Sequence, residues 1–221
     1  MTKEERLQKQ RARLVEMKVR EAELHEEGYE LVAGVDEVGR GPLAGPVLAA
    51  AVVLPDDFDV LGVDDSKKLS EKRRDALYDE ILSRAVGVGI GMADQSVIDD
   101  INILQATKAA MRNALADLAN NMGRSPDYIL FDAMVIDDVD IRQESIIKGD
   151  AKCLAIAAAS IVAKVTRDRM MVEYAGTYPG YAFEKNKGYG TREHYAGIAE
   201  HGICPIHRKS FLKNLKSDNH G

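Results

Sequence analysis

An α/β layer fold, with helices packed on a mixed sheet, is what this sequence predicts. Short apolar runs split by glycine and proline come first and read as strands. Longer helical stretches follow, one of them apolar nearly all round. The connections between them are mixed, which suits helices layered on a sheet rather than a bundle or a sandwich. The 221 residues can bury a full core in one large domain, or in one domain plus a small appendage.

In chain order, residues 2–27 are densely charged with sparse apolar positions and read as one long, mostly solvated helix that packs loosely. Thr2-x-x-Glu5 forms a capping box at its start and Gly28 a stop. Leu31–Asp36 and Val47–Leu54 are strands, and Ser70–Ser83 is an amphipathic helix capped by Ser70. Val86–Met92 alternates glycine with apolar residues, as a third strand. Ile101–Asn120 is helical. Tyr128–Phe131 is a compact strand ending at Asp132, and Val139–Ile147 reads as another. Ala151–Tyr174 is a helix whose first half should be buried, and Thr191–His201 is a last helix ended by Gly202.

Hydrophobic residues make up 45% and charged residues 30%, a soluble, globular balance rather than a disordered one. The longest apolar stretches, Leu43–Leu54 and Cys153–Ala163, fall short of the roughly 18 residues that span a bilayer. The first residues hold no apolar run of a signal peptide. Cys153 and Cys204 lie far apart, which suits a reducing cytoplasm and suggests neither zinc nor a disulfide framework. The net charge of −6 argues against a nucleic-acid binder unless positive charge gathers locally. The tail from Pro205, with Arg208, Lys209, Lys213 and Lys216 against Asp218, is such a gathering; it reads equally well as a solubilising end or a phosphate-tracking patch.

The chemistry concentrates at Gly34–Pro46, where the adjacent acids Asp36 and Glu37 are followed by the turn Gly39-Arg40-Gly41. Asp36 and Asp132 each close a predicted strand. If those strands are parallel neighbours, both carboxylates emerge at one sheet edge, where α/β proteins place ligands. Glu37 should face the other way unless the strand bends. Asp150 opens the buried helix, where the helix dipole favours a carboxylate. Four carboxylates in one site would repel by about 4 kcal/mol per close pair, so cations must offset them. Ligation by oxygen alone suits Mg²⁺ or Mn²⁺, and two such ions form the usual clamp for in-line attack at phosphorus.

Five ordered blocks resemble bacterial ribonuclease HII over roughly residues 30–210: GVDEVGRGPLAGP (34–46), DSKKLS (65–70), Phe131-Asp132, KGDAKCLAIAAASIVAKVTRD (148–168) and KGYGT (187–191). The resemblance implies a ribonuclease H-like mixed sheet flanked by helices, with a small helical C-terminal part. The N-terminal residues lie outside it, so the chain divides into a helical extension over 1–28, a catalytic domain over 29–190 and a helical part with the basic tail over 191–221. Asp36, Glu37, Asp132 and Asp150 match the family's metal-binding and catalytic carboxylates. Gly39, Arg40 and Gly41 match the loop that reads the 2′-hydroxyl at an RNA–DNA junction. Tyr189 matches the tyrosine that stacks on the adjoining deoxyribose, and Lys67 and Lys68 match positions near substrate phosphates. The implied activity is endonucleolytic hydrolysis of RNA in RNA–DNA hybrids and incision 5′ of single ribonucleotides in duplex DNA. The products carry 3′-hydroxyl and 5′-phosphate ends. Monomeric state is a family-level expectation, and the sequence leaves open whether the tail docks on a replication clamp.

Other residues have plainer readings. Asp168 lies 18 residues after Asp150, ~27 Å along an unbroken helix, and pairs with Lys164 instead. Ala155–Ala159 reads as close helix–sheet packing. His194, His201 and His207 follow no ligand spacing and read as surface residues. Gly87, Gly89 and Gly91 lack dinucleotide-fingerprint spacing, and no phosphate-loop motif is present. Two rival readings stand beside the nuclease: a nucleic-acid binder that has lost catalysis, against which all four carboxylates speak, and a metal-dependent DNA nuclease or strand-transfer enzyme, against which the Gly-Arg-Gly turn and Tyr189 speak.

Overall fold

The computed structural model describes the backbone of residues 2–216 and the side chains of residues 2–213; Lys216 and Asp218 of the basic tail lie outside the described side chains. Five strands form one mixed sheet in the order β3-β2-β1-β4-β5. They are β1 (Val32–Val38), β2 (Val47–Val53), β3 (Gly87–Ala93), β4 (Tyr128–Asp132) and β5 (Arg142–Ile146). The first three run as an antiparallel meander, and β4 and β5 extend the sheet parallel to β1. The wholly apolar run of β2 is buried along its full length because helices cover both of its faces.

One face carries α5 (Leu154–Thr177), with α3 (Glu71–Arg84) packed beyond it. The alanine run of α5 lies against β1, where Gly34 makes the contact: a methyl there would stand 2.1 Å from the Ala155 carbonyl carbon. Gly89 and Gly91 do the same for α4 (Gln95–Met122) on the opposite face, so the glycine alternation serves packing. Gly34→Ala should therefore destabilise the protein by about 3 kcal/mol, since backbone rather than a flexible side chain must move. A urea midpoint unchanged from wild type would show that α5 can retreat at no cost.

The N-terminal segment departs from expectation. It is two helices, α1 (Lys3–Met17) and α2 (Val19–Glu26), with the expected Thr2 capping box but a break at Lys18. Nor is it loosely packed. Met17 and Leu24 are fully buried in the α5-side core. Lys18 Nζ donates to the Phe58 carbonyl at 3.0 Å, and Glu21 accepts from the Ala155 N–H at 2.7 Å, capping α5. Met17 and Leu24 lie seven residues apart, close to two helical turns, so both face the core from either side of the break.

Other boundaries shift, among them the start of β5, which is Arg142 rather than Val139. Strand β1 continues to Val38 in regular register with β2. Helix α4 starts earlier than Ile101, capped by Asp94, and is interrupted at Asn102, whose side chain caps its second part. A 3₁₀ turn, Gly149–Ala151, precedes α5, so Asp150 sits in that turn rather than in the helix. The short helix α6 (Phe183–Asn186), α7 (Arg192–His201, capped by Thr191) and a 3₁₀ segment, Lys209–Lys216, follow. Lys164 and Asp168 pair at 2.7 Å as expected.

Candidate active site

Parallel pairing aligns Val35 with Phe131, so the next residues, Asp36 and Asp132, leave the two strands at the same level. The strand period of two points both toward the α5 side. Asp132 accepts the Gly149 N–H at 2.7 Å, which draws the 3₁₀ turn and its Asp150 across the strand ends. The oxygens of Asp36, Asp132 and Asp150 then lie within 4.8 Å of one another. Asp36 and Asp150 are each only 6% exposed. Burial first, and then Glu37 and Asp132, push the Asp36 carboxyl well above its ordinary range. Burial and the charges of Asp132 and Asp65 raise Asp150 against the pull of Lys67 and Lys68.

Glu37 is not in this group. No bend occurs beside it: it pairs in register with Ala49 and so takes the opposite face. Its carboxylate meets Arg40 Nη1 at 3.5 Å at the rim, within range of the charges of Asp132 and Lys67. Lys67 Nζ approaches Asp150 at 3.8 Å from an exposed position. Burial opposes its charge, but Asp150, Asp36, Asp65 and Asp132 outweigh that and raise its pKa. Lys68 turns instead to Asp64 and Asp65, at 3.3 and 3.8 Å.

The loop after β1 is held by groups that sequence reading missed. Arg208, taken above as part of a basic tail, is fully buried. Its guanidinium donates to the carbonyls of Gly39, Arg40 (2.9 Å) and Gly45 (3.0 Å). Arg167 on α5 is equally buried and donates to the carbonyls of Pro46 (2.9 Å), Ala44 (3.1 Å) and Lys187 (2.9 Å). Neither cation meets a carboxylate within 4 Å among the described residues. Burial lowers Arg167 to about 10, and burial with the charge of Arg167 lowers Arg208 to about 9, so both stay charged at neutral pH. Gly39 has φ +89°, and a methyl on it would meet Arg167 Nε at 2.2 Å. Only glycine admits both the turn and the clamp.

Tyr189 stands 43% exposed beside this loop, its ring edge 3.6 Å from where a side chain on Gly41 would begin. Its backbone is fixed by two histidines that are buried, contrary to the surface reading. The Tyr189 carbonyl can only accept, so His194 Nδ1, at 2.9 Å, carries a proton. His194 Nε2 then accepts from His207 Nε2 at 3.0 Å, and His207 Nδ1 accepts from the Cys204 N–H at 2.9 Å. Burial keeps both imidazoles neutral, with His207 lowered to about 4 by burial and by its neighbour His194. Main-chain bonds from Leu43 to Gly188, Gly45 to Ile206 and Arg208 to Leu43 stitch the loop to the same C-terminal segments.

The site thus offers three close oxygen donors, two of them buried and Asp132 half-buried, with a rim carboxylate and a clamped loop under a tyrosine. Such a donor set, oxygen only and short of positive charge, fits hard divalent cations. A family model described as ribonuclease HII matches residues 33–214. Ribonuclease HII of Enterococcus faecalis is 58% identical over 196 residues, which cover 89% of this chain and 75% of that protein. The crystal structure of ribonuclease H2 from Pyrococcus horikoshii OT3 superposes with TM-score 0.68 at 26% identity, over 84% of this chain and 96% of that one. The structure of the PCNA:RNase HII complex from Archaeoglobus fulgidus gives 0.63 at 25% identity, over 80% and 93%.

Proposed function

The chain belongs to the ribonuclease HII family, whose members cleave the RNA of RNA–DNA hybrids, and we propose that it also incises duplex DNA on the 5′ side of a single embedded ribonucleotide. The observation that carries this is the clamped Gly39-Arg40-Gly41 loop, three residues beyond Asp36 and under the ring of Tyr189. A protein distinguishes RNA from DNA only at the 2′-hydroxyl. In a trans peptide the N–H points opposite to the C=O. With the Gly39 and Arg40 carbonyls turned inward to Arg208, the N–H groups of Arg40 and Gly41 face outward. They make no bond among the described residues and suit a ribose hydroxyl. The ring of Tyr189 packs on the next sugar, where a second 2′-hydroxyl would clash, and so selects the junction.

Asp36, Asp132 and Asp150, with Glu37 at the rim, would hold two Mg²⁺ or Mn²⁺ ions. Ions held there would supply an activated water and would offset charge on the leaving 3′-oxygen; the products would carry 3′-hydroxyl and 5′-phosphate ends. The protein's own share is positioning: Asp132 fixes the Asp150 turn, Arg40 orients Glu37, and Lys67 and Lys68 draw in phosphates. The setting is removal of ribonucleotides from DNA and of RNA primers, in the cytoplasm, by a monomer. The A. fulgidus relative assembles with PCNA, and a clamp contact here would fall to the tail.

The test uses a labelled duplex with one internal ribonucleotide, beside an all-DNA duplex, with Mg²⁺ or Mn²⁺ and with chelator. Metal-dependent cleavage 5′ of the ribonucleotide, with the DNA duplex intact, is the expected result. Tight binding without cleavage would favour an inactive binder, and cleavage of both duplexes a general nuclease. Tyr189→Ala should lose about tenfold more activity on the single ribonucleotide than on a long hybrid, one stacked sugar being worth about 1–3 kcal/mol. Equal losses on both substrates would leave the ring without a junction role.

A further inference from the structure

Helix α1 presents a row of cations that neither the family match, which begins at residue 33, nor the catalytic site absorbs. A groove of about 470 Å³ runs between α1 and the 62–69 loop, lined by Arg6, Lys9, Gln10, Arg13, Asp64 and Lys68. A second of about 390 Å³ shares Arg6 and Gln10 with it and continues to Lys3 and to Arg73 of α3. Arg13 and Lys68 share the carboxylate of Asp64, and Arg13 also meets Glu16. Lys3, Arg6 and Lys9 are exposed and meet no carboxylate within 4 Å among the described residues. In a chain of net charge −6 this is a local excess of unpaired positive charge.

The groove leads to the carboxylates. Arg13 at its inner end donates to the carbonyl of Ala151, next to Asp150. Lys68 in its wall adjoins Lys67, which approaches Asp150 at 3.8 Å. From Arg13 back to Lys3 is ~15 Å of helix, about the axial length of four base pairs at 3.4 Å each. The helix is held in place before any ligand arrives, by buried Met17 and by the Lys18 bond to Phe58. Little ordering cost then falls on binding.

We infer that this face of α1 is a phosphate track for the duplex flanking the cleavage site, an inference that rests on the nucleic-acid substrate proposed above. Arg6 and Lys9 are its principal contacts, and it extends the footprint well beyond the junction. Sequence-independent contacts of this kind set affinity and its salt dependence.

The test is equilibrium binding by fluorescence anisotropy of a labelled 20-base-pair RNA–DNA hybrid to the full chain in chelator, between 50 and 200 mM salt. Arg6→Ala/Lys9→Ala should weaken binding about tenfold at 100 mM salt and reduce the slope of log Kd against log salt by about 2. Arg11→Ala, on the opposite side of α1, should change neither. Equal losses in both variants would reduce the effect to net charge and overturn the track, as would an unaltered slope in the double variant or a wild type that does not bind the hybrid. Cleavage by wild type, assayed separately, judges the nuclease reading independently of these outcomes.

Discussion

Asp36→Asn is expected to lower cleavage by on the order of 10³-fold or more while raising the stability of the metal-free protein. The two effects have one cause. Asp36 is nearly inaccessible and faces Asp132 and Asp150 with its oxygens inside a 4.8 Å group. Without cations these charges oppose folding, as the upward displacement of its carboxyl indicates. An amide keeps the shape and can still accept the Glu37 N–H, now at 2.8 Å, but removes one charge. Relief of about 1 kcal/mol of repulsion corresponds to a rise in Tm of about 3 °C for a chain of this size. The stabilisation that Mg²⁺ or Mn²⁺ adds by mass action should shrink in the same variant. Loss of one ligand to the reacting centre removes several kcal/mol of transition-state stabilisation, and each 1.4 kcal/mol is about tenfold in rate. Thermal melts with and without metal, and turnover at saturating metal, check this. Turnover within tenfold of wild type, or a fall in Tm in chelator, would remove Asp36 from the cation site.

The sheet was legible because its strands are short apolar runs with turn residues between them. Once β1 and β4 are parallel neighbours, period-two alternation alone places Asp36 beside Asp132 and turns Glu37 away. What escaped reading was polar material with buried destinations. Arg167 and Arg208 were hidden because arginine is by default a surface residue. A signal existed for one: Ala163, Arg167 and Met171 fall four apart on one stripe of α5, and all three are buried. The break at Lys18 involves no glycine or proline and leaves no mark in the pattern. The interruption at Asn102 leaves only a faint one, asparagine's tolerance of the left-handed region. His194 and His207 lie 13 residues apart and meet only through tertiary packing.

Arg208→Lys is expected to cost about 4 kcal/mol of stability and, separately, to erode discrimination at the ribonucleotide. The guanidinium spans three inward carbonyls, of Gly39, Arg40 and Gly45, from one buried position, with its Cζ 5.1 Å from the Phe211 ring centre. A single ammonium keeps the charge but cannot reach three acceptors in that spread. At least two buried carbonyls then lose their donor, at about 1–3 kcal/mol each, which gives the figure above and a fall in Tm of about 12 °C. The consequence for recognition follows from the peptide geometry. If the Gly39 and Arg40 carbonyls are no longer drawn inward, the Arg40 and Gly41 N–H groups no longer face a ribose at a fixed distance. Measured well below its own Tm, the variant should show a KM for the single-ribonucleotide duplex raised about tenfold, while kcat, set by the carboxylates, changes far less. A merely structural arginine would lower Tm and leave that preference intact. Such a result would sever the clamp from recognition, and an unchanged Tm would mean that the loop holds its form without the fork.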